Sequence, residues 1–159
     1  MKWSPTALLD SKGCTRKFQK RWIENAPVEI YIPEFEEGTK IHTQIQAFLK
    51  TGNDMYISEF NDALKKGLKS LKDKGQIETE LWLEDELLKG SADIVIENEN
   101  KWTLIDIKSR YDSTINEDLE VQLYCYLYLI QQRKEKPQAE IGVIAVHNQL
   151  SLFECLFLL

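Results

Sequence analysis

The stretch Gly90–Arg110, GSADIVIENENKWTLIDIKSR, decides how the chain folds. Two β-rich runs, Ala92 to Glu97 and Lys101 to Ser109, flank the polar turn formers Asn98-Glu99-Asn100-Lys101. A turn centred between Glu99 and Asn100 pairs Val95 with Leu104, Ile94 with Ile105 and Ala92 with Ile107, apolar against apolar. The same register sets Asp93 opposite Asp106. Residues so opposed stand about 4.5–5.5 Å apart, and two carboxylates at that separation repel unless something positive lies between them. Period-two alternation also puts Asp106 and Lys108 on one face and Ile107 on the other. Asp93, Asp106 and Lys108 are thereby expected on a single face. Hard oxygen donors of this kind suit Mg²⁺ or Mn²⁺, which keep several waters and engage phosphates. A buried pair in which Lys108 neutralises one aspartate accounts for the same residues without a metal.

Upstream, residues 10–21 are expected to be partly helical after a short apolar turn at Thr6 to Leu9, and Val28 to Ile32 to be extended between Pro27 and Pro33. Thr39 can cap a helix reaching about Lys50, with Ile41, Ile45, Phe48 and Leu49 on one face. A second helix is predicted from about Tyr56 to Asp73, ended by Gly75, and a strand from Gln76 to Asp85. Downstream, Thr114-Ile115-Asn116-Glu117 reads as a capping box opening a helix to about Arg133. Strands at Glu140 to Val146 and Leu150 to Leu158 close the chain. The order is mixed α/β. The apolar SLFECLFLL, residues 151–159, needs cover from this chain or a second copy.

The 159 residues suit one domain, an arm of 1–37 and a core of 38–159. Seven glycines, four prolines and sixteen aromatics exclude collagenous and disordered classes. No apolar run reaches the roughly 20 residues of a membrane span, and the N-terminus lacks the apolar stretch of a signal peptide, so a cytoplasmic protein is expected. The net charge of −6, from 20 bases and 26 acids, argues against a non-specific nucleic-acid binder. Locally the picture differs. Lys12, Arg16, Lys17, Lys20 and Arg21 form a basic arm without an acid among them, whereas Glu78 to Glu99 holds eight acids and one lysine. Such runs are ordinarily solvated surface; together they also suit a metal site that handles a polyanion.

On the residues alone, His42 beside an apolar helical stripe reads as a satisfied core histidine. Tyr126, one turn from Gln122, reads as a half-buried aromatic. In combination the motifs say more. Gly38-Thr39-Lys40-Ile41-His42, Gly90-Ser91-Ala92-Asp93, Asp106-Ile107-Lys108 and Gln122-Leu123-Tyr124-Cys125-Tyr126 follow one another in that order. Over about residues 38–146 the chain resembles the RecB-like branch of the PD-(D/E)XK nuclease superfamily. The opening Ser4-Pro5-Thr6-Ala7-Leu8 with Cys14-Thr15-Arg16-Lys17-Phe18 looks like that of iron–sulfur relatives in the branch, including the CRISPR-adaptation nucleases. Those hold a cluster with four cysteines; here Thr15 replaces their proline and only Cys125 and Cys155 accompany Cys14, so no iron–sulfur cluster is expected and Cys14 is taken as buried.

The resemblance implies a restriction-endonuclease-like α/β core, a mixed central sheet flanked by helices. It implies that His42, Asp93, Asp106 and the Ile107 carbonyl hold one or two Mg²⁺ or Mn²⁺ ions, with Glu80, or alternatively Glu78, on metal-bound water. Lys108 would orient and help deprotonate the attacking water, and Gln122 and Tyr126 would position the strand or the lysine. The expected activity is a metal-dependent DNA nuclease, an exonuclease on single strands or DNA ends, with the basic arm of Lys12, Arg16, Lys17, Lys20 and Arg21 on the strand. The competing expectation is a nuclease-fold DNA-binding or scaffolding subunit without catalysis. A protein partner or a homo-oligomer is compatible with either.

Overall fold

The computed structural model describes residues 2–26, 33–99, 101–109, 117–133, 138–147 and 150–152. Two short helices, α1 (Pro5–Gly13) and α2 (Thr15–Phe18), lead into a π turn at Gln19–Ile23. The long α3 (Pro33–Thr51) follows, then a 3₁₀ turn at Asp54–Ile57 and α4 (Asp62–Lys72). A hairpin of β1 (Gln76–Glu84) and β2 (Lys89–Glu97) continues into β3 (Lys101–Lys108), and α5 (Glu117–Arg133) crosses over to β4 (Gln138–His147) and β5 (Leu150–Leu152). The sheet runs in the order β1-β2-β3-β4-β5. All pairings are antiparallel except β3 with β4, which are parallel and joined by α5. This is the mixed sheet flanked by helices that the sequence predicts.

Local sequence explains the boundaries. Ser4 accepts the Ala7 amide at 3.1 Å with Pro5 in the first helical position, so Thr6 to Leu9 lie inside α1 and form no separate turn. Helix α3 begins at Pro33, which makes Thr39 an interior residue and no cap, and puts residue 38 inside the helix. The second long helix starts at Asp62, not at Tyr56, because Asn61 accepts the Leu64 amide at 2.9 Å and sets a new N-terminus. Val28–Ile32, Thr114–Asn116 of the capping box, Cys155 and the run beyond Leu152 lie outside the described residues.

Each sheet face has its own apolar layer. Ile45 and Phe48 of α3 and Leu64, Leu68 and Leu71 of α4 cover Ile94, Ile96, Ile105 and Ile107. Tyr126, Leu129 and Ile130 of α5 cover Leu83, Ala92, Val95 and Leu104. The N-terminal segment is tied to the β1–β2 turn by Trp3 N to Leu87 O at 2.8 Å and Lys89 N to Trp3 O at 2.9 Å, and the Trp3 ring stacks on Phe18 at 5.4 Å.

The β2–β3 register is the expected one for Ile94–Ile105 and Val95–Leu104, and it extends to Ile96–Thr103 and Glu97–Trp102. The expected pairs Ala92–Ile107 and Asp93–Asp106 do not form; the ladder ends at Ile94–Ile105. On the other side of β2, the β1 ladder also skips one pair, Glu80 with Asp93, while keeping its register on either side. Glu80 has φ 56°, a left-handed conformation uncommon for a non-glycine residue. The facing changes there too. Ala92 packs beneath α5 whereas Ile94, two residues on, packs beneath α3 and α4. Both strands therefore kink at one level, and Asp93 leaves the α5 face it was expected to share with Asp106 and Lys108. Repulsion between opposed carboxylates supplies the physical reason for parting the strands.

Candidate active site

The kink delivers Asp93 to a cleft of ≈ 520 Å³ lined by Gly38, Thr39, His42, Thr43 and Gln46 of α3 together with Glu80, Ser91 and Ser109. His42 Nδ1 lies 3.6 Å from Asp93 Oδ2. That same oxygen accepts the Ile107 amide at 2.8 Å, so the Asp93 side chain takes the place of the missing ladder. Gly38 explains how α3 comes so near: a Cβ there would sit 2.8 Å from Ser109 Oγ, just beyond the end of β3. Of the two candidate glutamates, Glu80 lines the cleft with His42 and Asp93, whereas Glu78 is not among its walls.

Asp106 approaches from the α5 side and is 3% exposed. Its Oδ1 accepts from Gln122 Nε2 at 3.1 Å. Its Oδ2 has Lys108 Nζ 2.8 Å away, an ion pair lying off the hydrogen-bonding direction, so this buried oxygen has no hydrogen bond. Burial lifts the Asp106 carboxyl from 3.8 to about 6; the Lys108 charge pulls it down and the Asp93 charge pushes it further up. Gln122 bridges the pair, its Oε1 accepting from Lys108 Nζ at 3.0 Å and its Nε2 lying 3.5 Å from the Tyr126 hydroxyl. Tyr126 is buried, and burial pushes its phenol pKa up. Its ring occupies the space where a Cβ on Gly90 would stand, 2.7 Å from Cε1. The glycines of both motifs thus make room for a neighbour, one for Ser109 and one for Tyr126.

Asp106, Lys108, Gln122 and Tyr126 form one connected network, and His42, Asp93 and Glu80 line the adjoining cleft. Ile107, expected to offer its carbonyl, presents its amide to Asp93. Among the described residues no group of three or more His, Cys, Asp or Glu side chains is placed to hold a metal ion. The donor chemistry nonetheless fits a divalent cation: a buried carboxylate oxygen without a hydrogen bond, a second carboxylate within its field, and an imidazole beside that carboxylate.

The basic arm is partly engaged. Asp10 receives Lys17 at 2.8 Å, Arg21 at 3.2 Å and the Trp22 indole at 2.9 Å. Burial pushes the Asp10 carboxyl up, but these bonds and charges hold it below its ordinary value. Arg16 and Lys20 are exposed and, among the described residues, form no ion pair. Cys14 is exposed, not buried, because it occupies the joint between α1 and α2.

Motif reading passed over Gln46, Ser91 and Ser109. Gln46 is 8% exposed and lies one turn beyond His42, a spacing that could have marked it. Ser91 and Ser109 carry no such signal, since their place depends on the kink and on the approach of α3.

The sequence model of the PD-(D/E)XK nuclease superfamily matches residues 56–152, more than half of the chain, and the chain belongs to that superfamily. No curated protein matches it. Among solved structures it is similar to the crystal structure of SSO0001, with 22% identity and a TM-score of 0.46 over 95% of this chain. The chain spans 65% of the length of that structure's chain. No helix among the described residues is long and apolar enough to cross a membrane.

Proposed function

Taking superfamily membership as the premise, we propose that the chain is a metal-dependent deoxyribonuclease of the RecB-like kind, working as one unit of arm and core on single strands or DNA ends. The observation that carries this reading is the Asp106–Gln122–Lys108 network, in which Lys108 Nζ stands 2.8 Å from a buried Asp106 oxygen and the Gln122 amide contacts both groups. Asp93, Asp106 and His42, with the Ile107 carbonyl and Glu80 through water, would hold Mg²⁺ or Mn²⁺. Such an ion, when bound, supplies charge to stabilise the phosphate and its leaving oxygen.

The protein groups do the rest. Lys108 Nζ, held as an ammonium beside Asp106 and Gln122, orients the attacking water and by its charge eases loss of the water's proton to solvent. The water oxygen forms the new bond to phosphorus, the bond to the 3′-oxygen breaks, and that oxygen takes up a proton from solvent, leaving a 3′-hydroxyl and a 5′-phosphate end. Gln122 fixes Lys108 by accepting from it, and at the same time donates to Asp106, so one amide sets both groups. Tyr126, wedged against Gly90, limits the movement of Gln122. Arg16 and Lys20 extend a salt-sensitive contact to the strand.

The test is cleavage of labelled single- and double-stranded DNA with Mn²⁺, Mg²⁺ or EDTA, with Lys108→Ala and Asp106→Ala in parallel. Metal-dependent cleavage lost in both variants is expected. Absence of cleavage by the wild type, or cleavage surviving both substitutions, sinks the enzyme reading; DNA binding without cleavage then supports the scaffolding subunit.

A further inference from the structure

Trp82 lies on β1, the edge strand of the sheet, directly across from Ser91, and is 51% exposed. A single exposed apolar side chain needs no explanation by itself; the position of this one is what matters. Its neighbours Leu81 and Leu83 pack beneath α5, so alternation turns Trp82 to the α3 face. Ser91, its partner across the strands, lines the cleft that holds His42, Glu80 and Asp93. Opposed residues point to one side of a sheet, so Trp82, though not itself a wall of the cleft, lies on the same face as it, beside the wall residue Ser91 and two residues along β1 from Glu80.

The ring is also held in place. Its Nε1 donates to Glu84 Oε2 at 3.1 Å, and the other oxygen of that carboxylate takes Lys2 Nζ at 3.1 Å. With its one polar atom satisfied, the indole has only its π faces to offer a ligand. Flanking Glu80 and Glu84 disfavour a phosphate at this spot, whereas an uncharged nucleobase meets no such penalty.

We infer that Trp82 is a stacking platform for an unpaired base next to the scissile phosphate, which makes it a determinant of preference for single strands. This rests on the nuclease reading above. Every base has a π face, so the platform accepts any sequence. A base inside a duplex is already stacked on both sides and cannot use it.

The test measures steady-state cleavage of a labelled single-stranded oligonucleotide by wild type, Trp82→Ala and Trp82→Phe. It is repeated with abasic sites walked along the strand, and with binding followed by quenching of indole fluorescence. Trp82→Ala is expected to raise KM roughly tenfold, the scale of one lost base stack, with the loss falling on KM rather than kcat. Trp82→Phe should recover most of it. One abasic position should weaken the wild type to the level of Trp82→Ala and have little further effect in that variant. Equal KM for wild type and Trp82→Ala overturns the inference, as does an abasic penalty that persists undiminished in the variant. Loss of self-association in Trp82→Ala with intact DNA binding also overturns it, by marking a protein contact. If the wild type cleaves nothing, the nuclease reading fails separately, and quenching that Trp82→Ala abolishes still supports the platform.

Discussion

Asp106→Asn should make the metal-free protein more stable, although it removes a residue proposed to be essential. The carboxyl is 3% exposed, and its lift from 3.8 to about 6 comes first from burial and then from the neighbouring Asp93 charge. At neutral pH the folded protein therefore holds an ionised group that the unfolded chain would solvate better, a cost of about 3 kcal/mol. Asparagine keeps an oxygen for Gln122 Nε2, now 3.1 Å away, but turns an amide donor toward the Lys108 ammonium. Lys108 is about a third exposed and can reach water, so losing its partner offsets about 1 kcal/mol of the gain. A net gain of about 1–2 kcal/mol raises the midpoint by about 3–6 °C in a chain of this size.

The pH dependence fixes the cause. Between 3.8 and about 6 the folded state binds a proton at Asp106 that the unfolded state does not. The wild-type penalty is thus complete above pH 6 and disappears as pH falls toward 4, and the advantage of the asparagine variant should shrink over the same window. Thermal unfolding followed by circular dichroism in EDTA, at pH 7.5 and at pH 5, measures both. An asparagine variant less stable than wild type at pH 7.5, or a gain of equal size at both pH values, would refute the reasoning. Added Mn²⁺ should reverse the order, because only the wild type retains the second carboxylate for the ion.

Three further outcomes follow from packing and charge. Gly90→Ala drives a methyl into the Tyr126 ring and should cost about 1–3 kcal/mol of stability in denaturant melts; Tyr126→Ala in the same chain should relieve part of that cost. Asn61→Ala removes the cap of α4 and should lower stability by about 1 kcal/mol without changing DNA cleavage. Replacing Arg16 and Lys20 together by alanine should weaken DNA binding and lower the slope of log affinity against log salt by up to about 2, as two phosphate contacts imply; an unchanged slope would remove the arm from the interface.

The hairpin register was legible because only one alignment sets Val95 against Leu104 and Ile94 against Ile105, and the structure adopts it. Period two on β3 put Asp106 with Lys108 and period 3.6 on α5 put Gln122 with Tyr126, but that the two pairs meet was implied by the family resemblance and not by either period. The kink at Asp93 was not legible, since alternation continues through it in the sequence and nothing marks Glu80 for a left-handed backbone. The start of α3 carried a signal that was passed over: Pro33 followed by Glu34, Glu36 and Glu37 suits a helix first turn, where proline lacks only an unused donor and acids meet the positive end of the dipole. Trp82 could not be distinguished from any exposed aromatic until its partner across the strands was known to line the cleft.

The Ile107 amide is held by the carboxylate of Asp93 at the point where the ladder has ended. A main-chain proton in the middle of the sheet therefore reports the state of one side chain at the rim of the cleft. A cation that draws the Asp93 oxygens toward itself weakens the grip on this amide before disturbing its neighbours in the sheet. In an ¹⁵N-labelled sample, one resonance would follow the occupancy of the cleft with no substrate present.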